Sequence, residues 1–322
     1  MHAVTIHEVG GPEVLRWDKA EVREPGVGEV LVDARFAGVN YRDVYFRNGM
    51  YKAPLPFVPG IEGSGVVSAV GPGVTSVAPG DRVAWTGDAG SYAERITLPA
   101  DAVLPIPDSV SFEHAAAVLL QGLTVHVLAN DCGPVRDGEW IAVHAAAGGI
   151  GLLLTQVAKH RGAKVLGTVS AEEKMKAVLD AGADAVTTYG DFSKTAAELT
   201  DGHGLNAVYD GVGAATLSQS IEALESCGRL VLFGWASGPV PTLPLDRLRS
   251  CTFVRPRLGD YLTPQRGEAA ERSAEIFSWM AEGVVTPTID SVYPMDRAAD
   301  AHRALESRRT IGKVLLATTG VK

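Results

Sequence analysis

The chain has 322 residues, 46% hydrophobic and 21% charged, an ordinary globular composition whose length exceeds what one core usually accommodates, so two domains are expected. Its net charge of −9 is spread along the chain and argues against a nucleic-acid partner, because phosphate backbones need a basic face. Three sparse cysteines (Cys132, Cys227, Cys251), a first stretch without a basic-then-apolar leader and no apolar run near the about 18 residues that span a bilayer make a reducing, cytoplasmic location the expectation, with no membrane partner.

In chain order, the first 120 or so residues read as β-rich. Strand candidates at 30–36, 63–70, 82–85 and 92–98 are separated by turns such as Gly10-Gly11-Pro12, Pro59-Gly60, Gly71-Pro72-Gly73 and Pro79-Gly80. A barrel-like antiparallel unit follows from that pattern. Ser111 is the expected N-cap of a helix running to 120, and 122–129 begins a second one. From 140 the rhythm changes to strands at 140–144, 164–168, 185–187, 206–210 and 229–233, alternating with helices at 152–160, 171–181, 191–199 and 214–225. That alternation predicts a parallel sheet covered on both faces. Beyond 257 come a helix at 266–282, a short extended piece at 292–294, a helix at 296–306 and a last strand at 311–317, a segment expected to return and complete the first domain. Arg247, Arg249, Arg255 and Arg257 gather nearby and read as a solvated or interface surface rather than a polyanion site.

Residues 140–151, Trp-Ile-Ala-Val-His-Ala-Ala-Ala-Gly-Gly-Ile-Gly, carry the most chemistry. The dinucleotide fingerprint G-x-G-x-x-G is present as Ala146-x-Gly148-x-x-Gly151 between a predicted strand and a predicted helix. Ala147, Gly148, Gly149, Ile150 and Gly151 would therefore present bare amides to a pyrophosphate at a helix N-terminus. About 20 residues on, where NAD-binding units usually place an acid, the chain reads Gly167-Thr168-Val169-Ser170-Ala171-Glu172-Glu173-Lys174. No acid ends the strand. Ser170 could bond a 2′-phosphate and Lys174 could supply a cation, which favours NADPH over NADH. An exposed helix lysine is the competing reading of Lys174, and Glu172 and Glu173 are expected to face solvent. The eight histidines show no paired metal-ligand spacing.

Taken as an ordered set, these motifs resemble the zinc-independent quinone oxidoreductases of the medium-chain dehydrogenase/reductase superfamily. The carriers are Gly10-Gly11-Pro12-Glu13-Val14-Leu15, Gly38-Val39-Asn40-Tyr41-Arg42-Asp43, Pro59-Gly60-Ile61-Glu62-Gly63, Gly80-Asp81-Arg82-Val83, Gly122-Leu123-Thr124-Val125, the 144–151 turn, Val208-Tyr209-Asp210, Phe253-Val254-Arg255-Pro256 and Leu305-Glu306-Ser307-Arg308. The resemblance implies an α/β fold: a GroES-like, β-rich catalytic domain from 1–121 and 258–322, and a doubly wound Rossmann domain from 122–257. It also implies a homodimer joined through the nucleotide domain.

At site level, the resemblance pairs Lys174 with Tyr189 and sets Phe233 and Gly234 near the nicotinamide ribose. It brings Arg308 to the coenzyme and places Asn40, Tyr45 and Thr124 beside the nicotinamide. Asn40 is expected to orient the cofactor or the substrate carbonyl, Tyr45 to line the acceptor site and Thr124 to anchor the nicotinamide side. Competing readings are a packed aromatic for Tyr45 and a helix-end charge for Arg308. Arg42 and Asp43 are expected to form a local ion pair. Where zinc-dependent members carry a Cys and a His ligand, this chain has Asn40 and Ile61, so no metal is expected. Without a Lewis acid, the expected reaction is hydride transfer from NADPH to an electron-poor acceptor, a quinone. The alternatives are an enoyl or 2-alkenal reductase acting on an enone-type substrate, and a low-turnover NADPH-binding structural or sensor protein. No proton donor is assigned, since solvent can protonate a reduced quinone.

Overall fold

The computed structural model describes residues 1–87, 90–240, 242, 245–248, 250–262 and 268–318. Arg249 and the first two residues of the helix predicted at 266–282 lie outside them. Two units emerge: 1–120 with 263–281 and 287–322, and 121–262 with 282–286. The sequence division differs by a few residues, because Tyr261 reaches the Cys132 thiol (3.9 Å) and the Thr286 N–H donates to Gln156 (2.7 Å), both within the second unit.

Unit one is built around one long strand, β3 (Glu29–Val39). Its partners in the same sheet are β4 (Glu62–Val70), β6 (Arg95–Pro99) and β15 (Lys313–Ala317), all antiparallel. Two register shifts against β4 let the strand bend as it passes from one neighbour to the next. The sheet runs β14–β15–β3–β4–β5–β7, where β5 is Arg82–Thr86, β7 Val103–Pro105 and β14 Ile289–Pro294. β14 and β15 are parallel, joined through the helix α9 (Ala298–Glu306), so the unit is not wholly antiparallel. β1 (His2–Ile6) and β2 (Leu15–Lys19) form a separate antiparallel ribbon. Val30, Val32, Val67, Val83, Trp85 and Val103 fill one core cluster, each worth about 1.5–3 kcal/mol on full burial. The buried Trp85 N–H donates to Ser91 Oγ at 2.9 Å.

Unit two holds a six-stranded parallel sheet in the order β10–β9–β8–β11–β12–β13. These are Ala185–Thr188, Lys164–Val169, Trp140–Val143, Leu205–Asp210, Leu224–Leu232 and Thr252–Val254 respectively. In chain order this is 3-2-1-4-5-6, the doubly wound Rossmann arrangement. Between the strands lie α3 (Gly149–His160), α4 (Met175–Asp180), α5 (Phe192–Leu199) and α6 (Leu217–Glu222). Several elements differ from expectation. The helix predicted at 171–181 is a single 3-10 turn (Glu172–Lys174) leading into α4, and β12 begins at Leu224, inside the helix predicted at 214–225. β13 has no counterpart among the predicted strands.

The two helices expected at 111–120 and 122–129 are one, α2 (Phe112–Asn130), entered through Ser111, whose Oγ accepts the His114 N–H (3.1 Å). Gly122 costs about 1 kcal/mol inside a helix, but burial on all sides outweighs that. By length and composition α2 could cross a bilayer, contrary to the sequence reading, yet 72% of its apolar window is buried within the protein.

Candidate functional site

In unit two the carboxyl end of β8 leads into a tight turn. Ala145 takes the left-handed conformation (φ 52°), a strain of about 1–2 kcal/mol for a residue with a side chain. Gly148 is the N-cap of α3 and gives it no side-chain cap; its own N–H donates to the Ala145 carbonyl (2.9 Å) and is not bare as expected, whereas the amides of the helix's first turn, from Gly149 on, are available to an anion. A Cβ on Gly151 would lie 2.6 Å from both the Ala145 oxygen and the Ala146 Cα, so only glycine lets the helix sit on the turn. Ala146 replaces the first fingerprint glycine because β9 supplies the room. A Cβ on Gly167 would come within 3.1 Å of the Ala146 methyl. Ala147 is buried, and Gly148, Gly149 and Ile150 are half-buried at the surface of the turn.

Strand β9 ends without an acid. Ser170 follows it and is exposed, as are Glu172 and Glu173, whereas Lys174 is half-buried at the end of the 3-10 turn. Tyr189 follows β10, its ring 5.9 Å from that of His144. Ser170 and Tyr189 thus follow the carboxyl ends of the adjacent strands β9 and β10, where open α/β sheets bind ligands, and Lys174 comes one short 3-10 turn after Ser170. Phe233 and Gly234 follow β12. A Cβ on Gly234 would fall 2.5 Å from the Gly211 oxygen, so the loops after β11 and β12 are in close contact. Next to them the Arg255 guanidinium stacks 4.3 Å from the Trp235 ring. Thr124 is half-buried on α2.

A buried polar network under the turn was not anticipated. The Asp210 carboxylate accepts from the N–H groups of Val212 (2.8 Å) and Gly213 (2.9 Å), from Thr216 Oγ1 (2.7 Å) and from Ser220 Oγ (2.9 Å). Because Ser220 donates to Asp210, it accepts from His144 Nε2 (3.0 Å), which leaves Nδ1 to accept from Thr168 Oγ1 (2.7 Å). Burial holds the His144 pKa below its usual value, against the opposing pull of Asp210, so the ring stays neutral. Asp210 at a strand end before Gly-Val-Gly was a visible signal, since a carboxylate there can gather the turn amides.

In unit one, Asn40 precedes α1 (Tyr41–Arg47), and its N–H donates to Asp43 Oδ2 (2.9 Å). Its side-chain amide meets Glu62 (2.8 Å) and Lys313 (2.8 Å), both buried. The expected Arg42–Asp43 ion pair does not form. Asp43 turns inward to accept from Tyr92 OH (3.1 Å), while Arg42 is exposed over the Phe46 ring. Tyr92 also contacts His302 Nε2 (3.1 Å), whose Nδ1 accepts from Arg47 (3.1 Å), and Arg47 makes a two-point pair with Glu306 (2.8 and 2.9 Å). Tyr45 is half-buried, edge-on to Tyr51 at 5.4 Å, and its hydroxyl has no hydrogen-bond partner among the described residues. Burial raises its pKa, so it stays protonated. Arg308 lies two residues beyond α9, exposed and left-handed (φ 59°). Ile61 is buried, and among the described residues no three His, Cys, Asp or Glu side chains converge as metal ligands would.

A β-rich unit completed by its own C-terminal segment, with a 3-2-1-4-5-6 sheet and a glycine turn, defines a medium-chain dehydrogenase/reductase. Residues 26–108 match the alcohol dehydrogenase GroES-like domain, and 149–271 match the zinc-binding dehydrogenase family. A quinone oxidoreductase of Pseudomonas aeruginosa is 41% identical, over 95% of this chain and 96% of that one. The Escherichia coli quinone oxidoreductase solved with NADPH superposes with a TM-score of 0.95 at 38% identity, over 98% of this chain and all of that one. A 2-haloacrylate reductase of a Burkholderia species is 34% identical over 98% of both chains. The chain belongs to the quinone oxidoreductase family.

Proposed function

We propose that the protein is an NADPH-dependent, zinc-independent quinone oxidoreductase. The observation that carries this reading is the uncapped start of α3 together with a β9 that ends without an acid and is followed by Ser170, Lys174 lying at the end of the next 3-10 turn. An uncapped helix start suits a pyrophosphate, and a strand end without a carboxylate suits a second phosphate. The E. coli relative was solved with NADPH, which supports the same coenzyme here.

The backbone of 147–151 would hold the pyrophosphate, Ser170, Lys174 and Tyr189 the 2′-phosphate, and Phe233, Gly234 and Arg308 the remainder of the coenzyme. When bound, the coenzyme supplies a hydride. Asn40, Tyr45 and Thr124 then serve the reacting end, and an electron-poor quinone needs little more than positioning and the exclusion of water. A 2-alkenal or enoyl substrate is the second reading, favoured by the relative named for 2-haloacrylate.

We further propose a cytoplasmic homodimer, with no membrane or nucleic-acid partner, joined along the exposed edge strand β13. Comparing kcat/KM for NADPH and NADH tests the coenzyme. Lys174→Ala should cut the NADPH preference by about 10-fold or more and leave NADH turnover nearly unchanged. An unaltered ratio would remove Lys174 from the phosphate site.

A further inference from the structure

Two buried charges have no role in the account above. The Glu62 carboxylate is fully buried and the Lys313 side chain is 3% exposed, and the two are in direct contact although 251 residues separate them. Their shared partner is Asn40. Lys313 Nζ donates to Asn40 Oδ1 (2.8 Å), and Asn40 Nδ2 donates to Glu62 Oε1 (2.8 Å) and to the Gly38 carbonyl (3.2 Å). Glu62 Oε2 is held in turn by the Leu120 N–H (3.2 Å). Gly38 is the residue that seats this carboxylate, because a Cβ there would fall 2.6 Å from Glu62 Cδ.

A primary amide has two N–H donors and one oxygen acceptor. An ammonium only donates and an ionised carboxylate only accepts. Turning the Asn40 amide half a revolution would set NH2 against NH3⁺ and oxygen against oxygen, so one orientation survives. In it, both N–H bonds of Asn40 are committed to Glu62 and Gly38. Any further bond this amide makes, it makes by accepting through Oδ1.

We propose that Glu62 and Lys313 are positioning residues that lock the Asn40 amide, so that Asn40 meets a ligand only as a hydrogen-bond acceptor. The fitting ligand group is an N–H donor such as the carboxamide of a nicotinamide. The carbonyl of a quinone is excluded as a partner, because Asn40 has no N–H left to give it. This inference rests on the reading of Asn40 as a residue of the reacting end, and it narrows the two roles expected for that residue to one. In the reaction the quinone gains a hydride from the reduced coenzyme and a proton from water, giving hydroquinone and oxidised coenzyme. The oxygen that becomes negative on the way takes its hydrogen bond from a group other than Asn40.

Steady-state kinetics with NADPH and 1,4-benzoquinone across pH 5.5–9 test the lock. Asn40→Ala should lower kcat/KM for NADPH at least 10-fold. Glu62→Gln/Lys313→Met removes both charges and leaves no unpaired ion, and it should match Asn40→Ala within about threefold, with no further loss when the changes are combined. Lys313→Arg should restore most of the activity. Glu62→Gln alone leaves a buried ammonium without its counter-charge, so its kcat/KM for NADPH should fall at least as far as that of the double variant. A double variant with parental kcat/KM beside a crippled Asn40→Ala would overturn the lock and leave the role of Asn40 standing. Parental kinetics in Asn40→Ala would instead overturn that role. Should the double variant fail to fold, parental kcat/KM for NADPH in Glu62→Gln overturns the lock.

Discussion

Asp43 shows how far one side chain can depart from its sequence reading. An acid next to Arg42 suggests a surface pair, but the helix turns Asp43 inward, where it is fully buried and Oδ1 has no hydrogen-bond partner. Burial, the largest influence, pushes its pKa up to about 7, although the Asn40 N–H, Lys313 and Tyr92 pull the other way. The neighbouring proton positions follow from Arg47, which can only donate. His302 Nδ1 must accept, so Nε2 carries the hydrogen and gives it to Tyr92, which gives its own to Asp43. Burial and Arg47 hold the His302 pKa near 3, keeping that ring neutral.

A carboxyl whose folded pKa is raised keeps a proton that the unfolded chain releases. Its contribution is therefore complete below about pH 4 and is lost as pH rises toward 7. His302 acts in the opposite sense, weakening the fold as pH falls from about 6.5 toward 3. Asp43→Asn removes the first effect alone. Between pH 5 and pH 8 its unfolding free energy in urea should fall by about 2–3 kcal/mol less than the parent's. Equal slopes would show that Asp43 is ionised in the folded protein.

At the level of elements, the glycine turn was the most legible part of the chain because its information is local. The apolar run at 140–143, the small residues and the following helix all fall within about 20 positions. The Gly151 constraint makes a sharp prediction. Gly151→Ala sets a methyl against backbone atoms that cannot step aside, so stability should drop by about 1–3 kcal/mol and NADPH affinity at least 10-fold, by thermal melting and fluorescence titration. Gly148→Ala meets only the Ala145 oxygen, at 3.2 Å, and should cost clearly less. Elements whose identity depends on distant neighbours were read less well. Gly122 looked like a break, yet packing on all sides carries α2 through it. β13 is three residues long and largely exposed, too short to show a pattern, and only its pairing with β12 makes it a strand. The same rule divides the site. Ser170 and Lys174, proposed for the 2′-phosphate, were read by counting from the glycines, whereas the contact of Glu62 with Lys313 could not be found by any local count.

At the scale of the whole molecule, β13 leaves the parallel sheet with an open edge on which Phe253 is 37% exposed. Phe253→Asp places a charge there and should shift the proposed dimer to monomer in sedimentation velocity, with the coenzyme affinity of each chain retained. A parental sedimentation coefficient would move the proposed contact elsewhere. The ends of the chain carry a different consequence. β3 is finished by β15, Arg47 by His302 and Glu306, and Glu62 by Lys313, so the first unit awaits residues that follow the second unit in the sequence. During synthesis the 121–262 stretch can fold as it emerges, while the opening 120 residues hold an acid in their interior with no counter-charge yet made. A purified chain ending at 286 should therefore lose its N-terminal third to protease and keep the parallel sheet, whereas the 322-residue chain should keep both.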